Sequence, residues 1–255
     1  MQYKYEKELV DYSDLASGRV FYSSHGYPAF PVRLASEIFQ RCMASRETIY
    51  GNATPCTLYD PCCGAAYHLS ILGYLHGRHI QEIIGSDIDE KAAALAKANL
   101  GLLSIAGLDQ RIGEITKMIE QYNKDSHKDA LKSAQLLKNK ITSLNQEHPL
   151  VTRVFQASAT DSETIMENVK AKSVDIVFTD VPYGQHSQWQ GLNSKEELSN
   201  PTWLILDALL GILSPSSILA IVSDKQQKVS HEHYQRLEKF RIGKRQVVIL
   251  KPTKK

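Results

Sequence analysis

Along this chain, apolar runs rich in β-branched residues alternate with segments whose apolar residues recur at helical spacing, the pattern of βαβ units around a mostly parallel sheet. The runs predict strands at Cys56 to Tyr59, Gln81 to Ser86, Val151 to Ala157, Val174 to Thr179, Ile218 to Ser223 and Gln246 to Leu250. Helical spacing predicts Tyr67 to His76, Glu90 to Leu103, Ser162 to Val169 and Pro201 to Leu213 between them. A further helix, Val32 to Met43, precedes the first strand behind Pro31, whose fixed φ suits a first helical turn. One stretch breaks the alternation. From Ser104 to Pro149 there are no strand signals, only two helical patterns interrupted near Asn123 to Asp125. Ile112, Ile115, Ile119 and Tyr122 share one face, and Leu131, Ala134, Leu137, Ile141 and Leu144 another. The pattern therefore predicts one Rossmann-like α/β domain over residues 1–255, with an N-terminal extension (1–54), helices on both sheet faces and an inserted helical hairpin (104–149).

At 255 residues and 42% hydrophobic content, such a domain can bury a full core without disulfides or a structural metal. No run approaches the roughly 18 consecutive apolar residues of a membrane span, and the opening MQYKYEKELVDYSDL is polar and partly acidic. A cytoplasmic protein with no membrane partner is expected. Cys42, Cys56, Cys62 and Cys63 contain no CxxC, so they predict reduced, buried small residues and no metal site. Net charge is only +2. Its distribution says more: from Lys225 to Lys255 there are ten basic residues against Glu232 and Glu238. Such a patch can neutralise phosphates without sequence preference, and Lys225, Lys228, Lys244 and Arg245 are its candidate RNA contacts. A solvated basic edge is the plainer alternative. In the inserted hairpin, seven basic residues against six acidic between Asp109 and His148 favour a solvated capping pair over an RNA-gripping arm.

The candidate chemistry begins at the end of the first strand, in Leu58-Tyr59-Asp60-Pro61-Cys62-Cys63-Gly64-Ala65-Ala66-Tyr67. An acid followed by a turn of small residues opening a helix is where open α/β sheets bind ligands. Neither GxxxxGK[ST] nor GxGxxG is present, which points to a nucleotide-type ligand without phosphates. Asp60 is placed to accept from the ammonium of a methionine moiety, directly or through water, while backbone at Cys63 to Ala65 approaches a sulfonium and sugar. The second strand ends in Ser86-Asp87-Ile88-Asp89. Asp87 suits the two hydroxyls of a ribose, and Asp89 caps the following helix. The fourth strand ends in Thr179-Asp180-Val181-Pro182-Tyr183-Gly184, a form of the (D/N)PPY signature of amino-group methyltransferases. In that reading Asp180 holds or deprotonates the target nitrogen and Tyr183 stacks on a flipped base. Trp189, with His186 and Gln188, follows on a predicted lid loop, where position makes them candidate substrate contacts.

With those motifs in order, the chain resembles the avilamycin-resistance rRNA methyltransferase family, the AviRa type, among class I S-adenosylmethionine (SAM)-dependent enzymes. The resemblance is carried by Ser13-Asp14-Leu15-Ala16, Gly26 to Ala35, Asp60 to Gly64, Ser86-Asp87, Asn99-Leu100, Thr179-Asp180, Pro182 to Gly184, and Ile242-Gly243 with Arg245. It implies methylation of a guanine base in 23S rRNA, SAM as donor, 23S rRNA or the large ribosomal subunit as partner, and drug resistance as one outcome. Cofactor contacts then fall to Asp60, Cys62, Cys63, Gly64, Ala65, Ala66 and Asp87, and catalysis to Asp180, Pro182 and Tyr183. Two positions depart from the family pattern. Ala66 stands where a glycine is expected, and Ser158 where an acid often meets the adenine amino group, a contact that would pass to Thr160, Asp161 or backbone. Arg33 is a candidate phosphate or cofactor-carboxylate contact, while Phe30 reads as docking onto the sheet. N-methylation of tRNA or protein is the same-chemistry alternative. A non-catalytic RNA-binding or ribosome-assembly factor is the alternative from another class, kept open by Ala66 and Ser158.

Overall fold

A computed structural model describes residues 3–181 and 200–253. Within them a 7-stranded sheet has the order β3-β2-β1-β4-β5-β7-β6. Its strands are β1 (Cys56–Asp60), β2 (Ile80–Asp87), β3 (Val151–Gln156), β4 (Val174–Asp180), β5 (Leu213–Asp224), β6 (Tyr234–Ile242) and β7 (Arg245–Pro252). Strands β1 to β5 are parallel, and β7 lies antiparallel between β5 and β6. The helices are α1 (Val32–Tyr50), α2 (Tyr67–His76), α3 (Glu90–Gly101), α4 (Ile105–Tyr122), α5 (Asp125–Glu147), α6 (Ser162–Asn168) and α7 (Pro201–Ala208). The strand order reverses between β1 and β4, which opens a crevice at their carboxyl ends.

Alternate strand residues feed opposite cores. Leu58, Ile83, Ile176, Phe178 and Ala220 pack with α1, α2 and the hairpin, whereas Tyr59, Ile84, Val177, Leu219 and Ile221 pack with α6 and α7. Burial on both faces is why these strands read as continuous apolar runs.

The predicted α/β architecture and the inserted hairpin are both present, with boundary differences that have physical causes. Helix α1 runs on to Tyr50 and stops at left-handed Gly51. Helix α7 ends at Ala208, not Leu213, because Leu213 already enters β5. Regular pairing in β5 resumes only at Ile218, after an irregular lead-in containing Pro215. Strand β6 was not anticipated at all. Its pairing with β7 shifts register between Arg236 and Glu238, so the two-residue alternation that marks a strand is interrupted.

In the hairpin, Leu108 and Ile115 of α4 are buried, as are Ala134, Leu137, Ile141 and Leu144 of α5. Tyr122, expected on the packed face, is exposed at the end of α4, where the chain turns through left-handed Asn123. Helix α5 is tied to the N-terminal segment by Ser133, which donates to Asp14 at 2.6 Å. It also presses Leu144 against Gly77, where an added Cβ would come within 2.3 Å of the leucine.

The N-terminal segment is strapped down by Glu37 of α1. That fully buried carboxylate accepts from the backbone N–H groups of Lys4, Tyr5 and Glu6 at 2.7 to 2.9 Å and pairs with Arg41 at 2.5 Å. Burial alone pushes this carboxyl up, but those hydrogen bonds outweigh it and hold it below its ordinary value. Among the described residues, no single helix is long and apolar enough to cross a membrane.

Candidate active site

Three strand ends converge on the crevice, and an acid terminates each: Asp60 on β1, Asp87 on β2 and Asp180 on β4. The turn after β1 is fixed from several sides. Cys63 N donates to Ser86 O at 2.9 Å, Gly64 N to Asp87 Oδ2 at 2.8 Å and Cys62 N to Asp60 Oδ1 at 2.9 Å. Gly64 and Ala66 both adopt left-handed backbone, with φ of 53° and 51°. The chain makes this turn at Ala66 despite its methyl group, a conformation that costs an L-residue about 1–2 kcal/mol. Ala66 is fully buried, so its methyl packs into the protein rather than the crevice.

Asp60 turns inward. Its carboxylate has no exposed surface, and its second oxygen lies 3.2 Å from Nε2 of His68. The expected direct contact with a ligand ammonium is therefore closed to it, and its part is to hold the Cys62 turn. His68, which the sequence reading passed over, sits between Phe30 and Phe178, with ring centroids at 5.7 and 4.9 Å. Phe30 docks onto the sheet as expected, 4% exposed.

Asp87 is half-buried. Besides Gly64 N it accepts from Asp89 N at 3.0 Å, which leaves about two of a carboxylate's four lone-pair sites. Burial pushes its carboxyl above the ordinary value and the Asp60 and Asp89 charges add to this, while the two backbone hydrogen bonds oppose it. Asp89 caps α3 through Lys91 N, as expected, and also accepts from Tyr27 OH at 2.5 Å. Asn99 of α3, 0% exposed, joins the parts. Its Nδ2 donates to Ala65 O at 2.9 Å and Tyr22 O at 3.0 Å, and its Oδ1 accepts from Tyr22 N at 2.8 Å.

Burial, and then the Asp60 and Asp87 charges, push the Cys62 and Cys63 thiols well above their ordinary value, so both stay protonated at neutral pH. After β3, Ser158 pairs with Thr160 at 3.0 Å, and Asp161 is engaged as the cap of α6 through Thr164. Arg33 is engaged too. It donates to the carbonyls of Glu6, at 2.5 and 3.0 Å, and Lys7, at 3.2 Å, and lies over the Tyr3 ring, so it anchors the N-terminal strap instead of facing a ligand.

On the other flank, the β6–β7 hairpin brings Arg245 to the crevice, its Nε 3.8 Å from Asp180 Oδ2. Lys225, Lys228 and Lys244 are exposed, and Lys225 N donates to the O of Lys244, the neighbour of Arg245, at 3.3 Å. Of the predicted basic tail, Arg236, Lys239 and Arg241 lie on the edge strand β6, and Arg245 and Lys251 on β7 beside it. Pro182, Tyr183, Gly184, His186, Gln188 and Trp189 lie outside the described residues.

The profile of the family described as rRNA methyltransferase AviRa matches residues 1–245. The chain is 37% identical over 249 residues, 98% of its length and 95% of the relative's, to a protein named 23S rRNA (guanine(2535)-N(1))-methyltransferase from Streptomyces viridochromogenes. Two solved structures of the rRNA methyltransferase aviRa from that organism match with TM-scores of 0.83 and 0.84, at 35% and 34% identity. In each, 98% of this chain and 96% of the other are covered.

Proposed function

Because the chain belongs to the AviRa family of rRNA methyltransferases, we propose that it transfers a methyl group from SAM to N1 of a guanine in 23S rRNA. The observation that carries the reading is the convergence of the left-handed Gly64–Ala66 turn, Asp87 and Asp180 at one end of the sheet, beside the point where strand order reverses. SAM, when bound, supplies an electrophilic methyl group on a positively charged sulfur. The residues present fit it. Asp87 retains acceptor capacity for ribose hydroxyls, and the turn has only small side chains at Gly64, Ala65 and Ala66. The carboxylates of Asp87 and Asp180 at the crevice favour a cationic ligand. Cys62 and Cys63 contribute backbone and bulk, not thiolate chemistry. Ser158 and Thr160, paired after β3, are the proposed partners of the adenine edge.

On the acceptor side, Asp180 takes the guanine N1 proton, and Pro182 and Tyr183 shape and stack the base. Lys225, Lys228 and Lys244, with Trp189, hold the surrounding RNA, either 23S rRNA itself or the large ribosomal subunit. Basic side chains at the mouth of an acidic crevice separate the two tasks, phosphate attraction at the rim and cation binding within. Altered drug sensitivity of the ribosome is the proposed physiological consequence.

An Asp180→Ala protein tests the assignment. It is expected to bind SAM as the parent does while methylating rRNA about 10²- to 10⁴-fold more slowly, the range for a lost general base. An unchanged rate would remove Asp180 from the chemistry.

A further inference from the structure

We propose that Arg245 is a catalytic and specificity-determining residue that donates to O6 of the target guanine while Asp180 takes the N1 proton, an inference that rests on the N1-guanine reading above. The geometry distinguishes Arg245 from the chain's structural arginines. Arg41 and Arg46 have side chains only 2% exposed. Arg245 and Asp180 remain 29% and 24% exposed at the crevice, 3.8 Å apart. The guanidinium centre lies 5.4 Å over the ring of Phe30, which itself packs edge-on against Phe178 of β4. That stack holds the guanidinium beside the end of β4. The backbone carrying it is also fixed: Arg245 pairs with both Asp224 and Ile242, and the next residue, Gln246, is fully buried and donates to Ser223 Oγ and Asp224 O.

An acceptor carboxylate and a donor guanidinium side by side match the edge of guanine, which offers N1–H as donor and O6 as acceptor. Adenine presents an amino group at position 6 and a bare lone pair at N1, so both protein groups would face the wrong partner. The same pair suits the chemistry. Neutral guanine has no free lone pair at N1, and removing the N1 proton spreads negative charge onto O6. A preorganised donor at O6 stabilises that charge as it develops, like the donors of an oxyanion hole. The N1 proton passes to the Asp180 carboxylate and the freed electron pair forms the N1–methyl bond. The methyl–sulfur bond breaks with its electrons left on sulfur, turning the sulfonium into a neutral thioether, and Asp180 later gives its proton to water.

The test is single-turnover methyl transfer to unmodified 23S rRNA across a pH series, with SAM and rRNA dissociation constants measured on the same proteins. Arg245→Gln is expected to slow transfer by about 10²- to 10³-fold, the effect of losing one oxyanion donor. Its SAM and rRNA affinities should stay within about threefold of the parent's, and its rate should go on rising to higher pH than the parent's does. Arg245→Lys keeps the charge but not the planar fork, and its rate should fall between the two. Two results overturn the inference. One is transfer by both variants within about threefold of the parent's rate. The other is a loss confined to rRNA affinity with a shallower salt dependence, which would make Arg245 a phosphate contact. A parent protein that methylates no guanine would instead bring down the function reading, and this inference with it.

Discussion

Replacing Asp87 by asparagine separates donor binding from folding. The carboxylate accepts from Gly64 N and Asp89 N and keeps about two further lone-pair sites, the number that two ribose hydroxyls require. Asparagine conserves shape but removes the charge and turns one acceptor into a donor. Hydrogen bonds to a charged group contribute about 1.5–3 kcal/mol, and about 1.4 kcal/mol is a tenfold change in affinity. Asp87→Asn should therefore weaken SAM binding by about 10- to 150-fold, measured by titration calorimetry at neutral pH, with far-ultraviolet dichroism confirming the fold. The parent's pH dependence is the companion observable. Burial, reinforced by the Asp60 and Asp89 charges, raises the Asp87 carboxyl, so it regains its proton at a higher pH than an ordinary carboxylate does. SAM affinity should accordingly start to fall, as pH is lowered, above the usual carboxylate range, and that component should vanish in Asp87→Asn. A variant that binds SAM within about twofold of the parent would refute the ribose assignment.

Other parts of the structure carry their own tests. Asn99→Ala strands the buried Ala65 carbonyl and two partly buried backbone groups of Tyr22 and should cost about 3 kcal/mol in urea unfolding, given about 1–3 kcal/mol per unsatisfied buried group, together with weaker SAM binding. His76 is driven down to about 4 by burial, with the Glu6 charge opposing and His79 and Lys140 reinforcing. Its unfolded form therefore binds a proton that the folded form does not between roughly pH 6.5 and 4, and about 3 kcal/mol of stability should be lost as pH falls through that window. His76→Phe should flatten the fall. Asp175 accepts from Arg46, Thr57 N and Ser214, at 2.9, 3.0 and 2.9 Å. Asp175→Ala should destabilise by about 3–5 kcal/mol by leaving Arg46 buried without its carboxylate, and an Arg46→Met/Asp175→Leu double variant that was no more stable than Asp175→Ala would argue against that cause.

The acids at the ends of β1, β2 and β4 were legible because each closes an apolar run and precedes small or helix-opening residues, a local pattern. What was missed depended on distance along the chain. Arg33 looked available because its carbonyl partners lie 26 and 27 residues away. Asp60 looked ligand-facing because nothing in the local sequence shows that its carboxylate turns inward towards His68, a ring that Phe30 and Phe178 hold from distant parts of the chain. Asn99 did offer a signal, a lone amide in an alanine- and leucine-rich helix where asparagine is disfavoured unless its side chain has a partner. Strand β6 hid behind its register shift, so Arg245 read as one of a run of RNA contacts, when the β6–β7 hairpin carries it to Asp180.

The most direct test of the central claim is transfer of labelled methyl from SAM to unmodified ribosomal RNA, followed by nucleoside mass spectrometry, with tRNA and bulk protein as parallel substrates. The expected result is 1-methylguanosine arising in 23S rRNA alone. Label in tRNA or protein but not in 23S rRNA, or no transfer to any substrate, would contradict the account.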